Sequence, residues 1–477
     1  MQYYCFLEFN EGSSQKNFLK VLIDDHDFVV TINPQTPSTL PTKKKKREID
    51  RTLHQSDYVF NPNTSNKYLF LLGHYEQLGK TVVNFMQAGL LAKKLGRNMV
   101  VPFVRNSRFC GLRSGWIGSI RRKSREFLPM DNYFQMSSVE HLFEENNFSS
   151  LVQFNEFKEE CPTQTLLYFI YSGLKAETQR YFKMSNEEYH VLEKNLSKSS
   201  GMIDDCQHIE ERVKSGNRIG NVTFHKVICI DAEKITKLYQ LQSLIKNNKC
   251  VTLFLWRGVG YQRTHFNLAL PFPYEHYLSQ ISFSNSILNE AETFIKINMH
   301  NVPFIGIQIR SERQLSWYDL DKFKHCLDIV VKVATIFIYK KKIKHIFISS
   351  DLEKHGSDQM AILMNVTALK GARHYLKDSF KKLSPHYFTA KKEQGLIHND
   401  SGYVALSQME ILSRASHLIT LGAGTFQNWV KARFKEKKNQ QNSQFPWSIT
   451  RVCSVEMKNV NDQKKFNLNK TKGRAKS

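Results

Sequence analysis

Three apolar segments in the second half of the chain each end in residues that can bind a phosphate or a sugar. The segment PFIGIQI precedes Arg310, HIFISS precedes Asp351, and HLITL precedes GAGTF at 422–426. Short apolar runs of this kind predict buried strands. In open α/β sheets the ligand binds outside the carboxyl ends of the strands, so we expect these residues to lie at the ligand-binding edge of a sheet.

The strongest candidate is Arg310, which follows Gln308 by one intervening residue. Side chains alternate along a strand, so Gln308 and Arg310 share one face and Ile309 lies on the other. A guanidinium at this place can hold a diphosphate through two parallel hydrogen bonds and neutralise a departing nucleotide. The competing interpretation is a structural ion pair, with Glu312 or Asp351 as the partner.

The other two strand ends carry weaker signals. Asp351 and the two serines before it could order Arg310 or bind the hydroxyls of a base or sugar, although Asp and Ser also suit the capping of a helix. In GAGTF, Gly424 permits a close backbone approach, while Thr425 and Phe426 lead into a predicted helix whose N-terminal N–H groups attract phosphate. The chain has no GxGxxG after its first predicted strand and no GxxxxGK[ST], which argues against a nicotinamide enzyme and a P-loop NTPase.

The segments around these residues alternate between strand and helix patterns. KYLFLL and NMVVPFV predict two strands, and the apolar spacing between them predicts a helix at 81–96. Strand, helix and strand in this order argue for a parallel sheet with right-handed crossovers. A second series follows an aromatic, proline-bearing crossover, with predicted helices at 277–298, 323–339 and 408–415.

We therefore predict an α/β protein with two Rossmann-like domains that face a cleft. The first domain is expected at 67–275 and the second at 276–455. A poorly ordered leader, which admits one short strand at Val21 to Val30, is expected at 1–66, and a basic tail at 456–477.

Composition and charge exclude global disorder and leave the nature of the partner open. The chain has 477 residues, of which 41% are hydrophobic, and a formal net charge of +24. A basic surface attracts nucleic acid, anionic lipid or a phosphorylated small molecule. The run KKKKR at 43–47 could be a nuclear-import or polyanion patch, but a solvated run in a Pro/Thr/Ser-rich linker is the favoured interpretation. A nucleic-acid binder is a third class of function, but the sequence contains no recognisable nucleic-acid module.

Cysteines, glycosylation sequons and hydropathy bear on the compartment. Eight cysteines without a CxxC pair argue against a zinc ribbon and are compatible with disulfides. No segment reaches the ~18 apolar residues of a membrane span, and the start MQYYCFLEFNEG lacks the features of a signal peptide. N-x-S/T sequons weakly favour a secretory lumen; they begin at Asn63, Asn147, Asn195, Asn221, Asn365, Asn399 and Asn469.

Four segments together resemble the GDP-fucose-dependent fucosyltransferase superfamily, which comprises the protein O-fucosyltransferases and their α1,2- and α1,6-linking relatives. They are GHYEQLGKTVVNFMQAGLLAKKLGRNMVVPFVRNSR, VPFIGIQIRSE, HIFISSD and EILSRASHLITLGAGTFQNWV, within about residues 68–132 and 277–435. The resemblance implies a GT-B arrangement of the two domains and an inverting reaction without a required metal. It also implies transfer of fucose from GDP-fucose to a protein or glycan hydroxyl, in the lumen of the ER or Golgi.

The resemblance also implies roles for individual residues. Arg310 would bind the β-phosphate and stabilise the departing GDP, and Glu76 would be a catalytic carboxylate in the first loop. The remaining residues expected to bind the donor are Gln308, Asp351, Gly424, Thr425 and Phe426.

This chain departs from the family pattern at three places. Gln308 stands where the family usually has His, Arg313 where an acidic residue often follows, and Gln408 where Asp is usual, with Glu410 nearby. These departures support an alternative, in which the chain is a catalytically silent relative that binds a glycan or a protein.

Overall fold

The structure is a computed structural model that divides into two compact units. Unit 1 comprises residues 1–33, 295–388 and 411–477, and unit 2 comprises residues 34–294 and 389–410. The structure describes residues 3–10, 16–23, 28–30, 66–74, 77–113, 126–182, 184–204, 206, 209, 222–255, 258–259, 266, 268–311, 314–315, 320–352, 366–388, 400–440 and 447–453.

Strands and helices alternate through most of the described residues. The strands are β1 Tyr3–Asn10, β2 Lys16–Ile23, β3 Phe28–Val30, β4 Tyr68–Leu71, β5 Asn98–Val100, β6 Phe103–Arg105, β7 Arg108–Cys110, β8 Leu128–Pro129, β9 Leu151–Val152, β10 Thr163–Ile170, β11 Met202–Ile203, β12 Thr223–Asp231, β13 Cys250–Phe254, β14 Phe304–Ile309, β15 His345–Ser350, β16 His386–Tyr387, β17 His417–Leu421 and β18 Trp447–Val452. The α-helices are Leu78–Lys94, Met136–Glu145, Phe154–Glu160, Lys175–Phe182, Asn186–Lys198, Leu238–Ile245, Tyr274–Gln280, Asn285–Met299, Leu320–Lys341, Val366–Phe380, Ser401–Arg414 and Thr425–Gln440.

Each unit is built on a sheet whose central strands are parallel, which confirms the predicted α/β class. In the described part of unit 1 the strand order is β16-β15-β14-β17-β18-β1-β2-β3, and the first five strands run parallel. In unit 2 the order is β11-β12-β10-β13-β4-β5-β9, with β11 as an antiparallel edge. The strands predicted at HIFISS and HLITL have their predicted bounds.

One border between the units lies at 294/295, inside the helix Asn285–Met299; the sequence-based domain border at 275/276 stays a prediction. Residues after 276 are bound to unit 2 through its backbone: the N–H of Gln135 donates to the carbonyl of Ser282 at 3.0 Å. A bridge between Phe134 and Phe283 also interrupts the helix predicted at 277–298, which is two helices in the structure. This tertiary pairing overrides the local helical pattern.

The N-terminal leader holds more strand than the sequence analysis predicted. The sequence analysis expected one strand at Val21 to Val30. The structure has two strands there, β2 and β3, and a third strand, β1, before them. β1 pairs antiparallel with β18 and extends the sheet of unit 1. The segments YYCFLEFN and KNFLKVLI are rich in aromatic and aliphatic residues that suit strands; the polar composition of the residues after them obscured this.

Side chains alternate between the two faces of β14. One face packs into the core of unit 1, and the opposite face carries Gly306 and Gln308. Ile305, Ile307 and Ile309 are fully buried in the core formed with the helices Leu320–Lys341 and Val366–Phe380. On the opposite face a Cβ at Gly306 would lie 2.9 Å from the Cβ of Ala415. The glycine therefore allows close approach of the chain at the end of Ser401–Arg414, on the face that Gln308 shares.

Three disulfides are present among the described cysteines: Cys161–Cys250, Cys206–Cys229 and Cys326–Cys453. The first two lie in unit 2, and the third ties the helix Leu320–Lys341 to the residue after β18 in unit 1. Cys110 is a buried free thiol, and burial raises its pKa to about 12. No helix among the described residues combines the length and the apolar character needed to cross a bilayer.

A buried carboxylate organises one part of unit 2. Asp400 is fully buried and precedes the helix Ser401–Arg414, where its Oδ1 accepts the N–H groups of Gly402 and Tyr403 at 2.9 and 3.0 Å. Its Oδ2 accepts the N–H of Asn106 at 2.6 Å, and the hydroxyl of Tyr133 donates to Oδ1. Burial is the main cause that raises the pKa of Tyr133, so the phenol stays a donor. Asp400 thus caps a helix and holds the β6–β7 turn.

Because the imidazole of His417 is buried, we expect the folded protein to lose stability in acid. The side chain begins β17, lies against Phe337 and is hydrogen-bonded through Nδ1 to Ser448 at 2.8 Å. Burial, with Lys341 and Lys438 nearby, lowers its pKa to about 4. Because the unfolded state binds the proton more tightly, the stabilisation is complete above the ordinary pKa of about 6.5 and is lost as the pH falls towards 4. At pH 5 the loss is about 2 kcal/mol.

Chemical denaturation at pH 7.5 and pH 5 of the natural chain and of His417→Gln tests this expectation. The variant should lose about 2 kcal/mol less between the two pH values. Equal losses in both proteins would contradict it.

Candidate functional site

The carboxyl end of β14 places Arg310 beside the end of β17. The two strands pair in parallel, with Ile309 opposite Leu421. The N–H of Arg310 donates to the carbonyl oxygen of Leu421 at 2.9 Å. This hydrogen bond continues the ladder by one residue and fixes the backbone of Arg310 next to the loop that follows β17.

The two glycines of that loop make room for Arg310. Both have left-handed φ values, +98° at Gly422 and +140° at Gly424, which side chains other than glycine rarely adopt. A Cβ at Gly422 would lie 2.8 Å from the carbonyl oxygen of Arg310. A Cβ at Gly424 would lie only 2.0 Å from Nη1 and 2.9 Å from Cζ of Arg310. The guanidinium therefore lies directly against the Cα of Gly424.

Gly424 also begins the helix Thr425–Gln440. Its carbonyl oxygen accepts the N–H of Asn428 at 2.9 Å, the first bond of the helix. Helix geometry leaves the N–H groups of the first turn without partners inside the helix, and the helix dipole adds partial positive charge there. The structure thus brings a guanidinium and a helix N-terminus together at the carboxyl edge of a parallel sheet. This combination can bind a phosphate or diphosphate.

Thr425 and Phe426 occupy the first turn of this helix, whereas the sequence analysis placed both residues in the loop before it. Thr425 is buried and Phe426 is half-buried. The roles in donor binding that the resemblance implies for both residues stay predictions.

Gln308 is bound inside the protein. Its side chain is 4% exposed, and its Oε1 accepts a hydrogen bond from Nε2 of Gln427 at 2.7 Å. The same nitrogen of Gln427 donates to the carbonyl oxygen of Leu421 at 3.0 Å. The two amides thus tie β14 and β17 to the first turn of the helix. The contact between Gln308 and the nucleotide-sugar donor that the resemblance implies stays a prediction.

The sequence analysis did not single out Gln427. A glutamine in the first turn of a helix, opposite a glutamine near the end of a neighbouring strand, is the signal that could have indicated it. The pairing spans 119 positions in the chain, so the local pattern around either residue does not show it.

Asp351 positions the residue after Arg310. Its Oδ1 accepts the N–H of Ser311 at 2.8 Å and also the hydroxyl of Ser311. Ser311 is fully buried. These two hydrogen bonds fix the backbone directly after Arg310, and the role of Asp351 in donor binding stays a prediction.

Asp351→Ala should therefore lower the free energy of unfolding by about 1–3 kcal/mol, because it leaves a buried N–H and hydroxyl without their acceptor. Asp351→Asn keeps an acceptor oxygen and should cost less. Urea denaturation of the three proteins measures the difference. An alanine variant as stable as the natural chain would contradict this role.

The catalytic carboxylate expected at Glu76 lies outside the described residues, as does Arg313. Two residues before Glu76 in the sequence, His74 is buried between the rings of Phe85 and Phe109, with centroid distances of 6.0 and 5.9 Å. Burial lowers the pKa of His74 to about 3, so this imidazole is neutral at physiological pH.

Gln408 and Glu410 are both buried in the helix Ser401–Arg414. In the described ranges no group of three or more His, Cys, Asp or Glu side chains is arranged to hold a metal ion.

Comparison with known proteins gives matches among solved structures. No protein-family model matches the chain, and no curated protein sequence matches it. POFUT1 in complex with GDP-fucose is similar with a TM-score of 0.45 and 14% identity, over 83% of this chain and 100% of that chain. POFUT1 in complex with GDP has a TM-score of 0.43 and 14% identity, over 77% and 94% of the two chains. The fucosyltransferase NodZ from Bradyrhizobium has a TM-score of 0.31 and 11% identity, over 76% and 92%.

Proposed function

We propose that unit 1 binds the diphosphate of a nucleotide sugar and that the chain is an inverting glycosyltransferase, which transfers fucose from GDP-fucose to a hydroxyl of a protein or glycan. One observation carries the proposal: the guanidinium of Arg310 lies against Gly424, where the helix Thr425–Gln440 begins. The choice of GDP-fucose rests on the sequence resemblance of the four segments named above.

The chemistry asked of this site is the stabilisation of a leaving group. When the bond between the sugar and the diphosphate breaks, negative charge develops on the departing phosphate oxygen. A guanidinium and a helix N-terminus that are already in place stabilise that charge without reorganisation. In this proposal Arg310 and the helix N-terminus supply the positive charge that holds the diphosphate, and no metal ion is required.

The acceptor hydroxyl needs a base, and Glu76 is the residue proposed for this role. General base catalysis contributes about 10²- to 10⁴-fold to the rate of such reactions. Glu76→Gln would then lower kcat strongly and leave the Kd for GDP unchanged, since the carboxylate contacts the acceptor rather than the nucleotide.

The proposal includes work in the lumen of the secretory pathway. Disulfides persist in oxidising compartments and are rare in the cytosol. The three disulfides among the described cysteines support this location.

Calorimetric titration with GDP, UDP and CMP tests donor binding. Selective binding of GDP, with GDP-fucose consumed in the presence of protein or glycan acceptors, is the expected result. A folded, purified chain that binds none of these nucleotides would contradict the proposal.

A second candidate function is that of a catalytically silent relative which binds a glycan or a protein. The observation that favours it is the use of the amide oxygen of Gln308 inside the protein, at the position where the family usually has His. This candidate predicts no release of GDP from GDP-fucose with any acceptor. Measurable turnover would exclude it.

A further inference from the structure

We propose that Asn147 and Asn195 carry N-linked oligosaccharides. They begin the sequons NFS and NLS, and the structure leaves both asparagines exposed. This inference does not depend on the proposed transferase function. It rests on the compartment that the disulfides indicate and on the surroundings of the two sequons.

The disulfides place the chain where N-linked sugars are added. The cysteine pairs join residues 89, 23 and 127 positions apart, and each pair lies within one unit, two in unit 2 and one in unit 1. Structural disulfides of this kind form in oxidising compartments such as the ER lumen. When a chain folds in the ER lumen, sugar can be transferred to a sequon before folding buries that sequon.

Asn195 lies in the helix Asn186–Lys198. The helix buries Tyr189, Leu192 and Leu196, while Asn195 and Ser197 are exposed. A sugar chain attached to the amide of Asn195 would project into solvent, and the packed side of the helix would be unchanged.

Asn147 lies in the turn after the helix Met136–Glu145, with a φ of +53°. Asparagine tolerates this left-handed conformation better than most residues, and its side chain is exposed. The hydroxyl of its sequon is not accessible, because Ser149 is 2% exposed and its N–H donates to the carbonyl of Gly89 at 3.2 Å. Sugar transfer to Asn147 therefore precedes the burial of Ser149, and the folded protein then displays the sugar.

The reaction at each site is a simple group transfer. The amide nitrogen Nδ2 forms a bond to C1 of the first sugar of a lipid-linked oligosaccharide diphosphate. The bond between C1 and the phosphate oxygen breaks, the amide loses one proton, and the lipid diphosphate leaves. An oligosaccharyltransferase of the lumen supplies donor and catalysis, and no oxidant or reductant is consumed.

Mass spectrometry of the protein isolated from its own cells tests the proposal. Digestion with a peptide N-glycosidase in heavy-oxygen water should convert Asn147 and Asn195 to labelled aspartate. Asn186 is a matched control, since it is exposed on the same helix but is followed two residues later by Glu188 rather than Ser or Thr. Unmodified asparagine at either sequon would overturn the assignment of that site.

Variants made in secretory-pathway cells give a second readout. Asn147→Gln and Asn195→Gln should each remove one glycan, seen as a faster band on a denaturing gel. Ser149→Ala should remove the glycan of Asn147 and leave that of Asn195. A glycan that persists at Asn147 in Ser149→Ala would contradict the sequon assignment. GDP titration is a separate measurement, so the result for the glycans does not decide the transferase function.

Discussion

Arg310→Ala is expected to weaken GDP binding by about 100-fold or more while the chain stays folded. Two charge-assisted hydrogen bonds from a guanidinium to a diphosphate contribute about 3 kcal/mol together, and 1.4 kcal/mol corresponds to a factor of ten. The backbone of Arg310 keeps its bond to Leu421 in the variant, because the N–H makes that bond. Calorimetric titration of GDP into both proteins measures the loss.

Arg310→Lys sharpens this experiment. Lysine keeps the charge but cannot form two parallel bonds to one phosphate group, so it should recover only part of the affinity. Lys332→Ala is the matched control, because Lys332 is an exposed cation on the helix Leu320–Lys341 of the same unit. Equal losses in Lys332→Ala and Arg310→Ala would show a general effect of charge and would contradict a specific site.

Gly424→Ala is expected to lower GDP affinity by about 30-fold, which corresponds to about 2 kcal/mol. The new Cβ would lie 2.0 Å from Nη1 of Arg310, so the guanidinium must move away from the helix N-terminus. The φ of +140° at this residue adds strain to the loop. Titration calorimetry measures the affinity, and circular dichroism checks that the variant folds.

Two comparisons make the result for Gly424→Ala specific. Gly173→Ala is the control for glycine substitution, since a Cβ there would meet no atom within 4 Å; its GDP affinity should be unchanged. In the double variant Gly424→Ala/Arg310→Ala, the loss of binding free energy should be smaller than the sum of the losses in the two single variants, because both changes remove the same contact. Strictly additive losses would contradict the inferred contact between Gly424 and the guanidinium.

The sequence predicted β14, β15 and β17, and the position of Arg310 at the end of β14, because these depend on local patterns. Short apolar runs gave β15 and β17 their predicted bounds. The alternation along β14 placed Gln308 and Ile309 on opposite faces of the strand, and in the structure Ile309 lies in the core while Gln308 bonds to Gln427 on the other face. The glycines of GAGTF indicated a close approach of another group, which in the structure is Arg310.

What the sequence did not show depends on contacts between distant residues. The partner of Gln308 is Gln427, and Asp351 accepts from Ser311 across two neighbouring strands. Asp400 gains its importance from Tyr133 and Asn106, which are 267 and 294 positions away. No local pattern around Asp400 reveals that its carboxylate is fully buried, so tertiary structure alone assigns this role.

A crystal structure of the chain with GDP tests the central claim most directly. The account predicts the diphosphate at the N-terminus of the helix Thr425–Gln440, with phosphate oxygens about 3 Å from the guanidinium nitrogens of Arg310 and from N–H groups of the first turn. GDP bound at another place, with Arg310 making no contact to a phosphate, would contradict it.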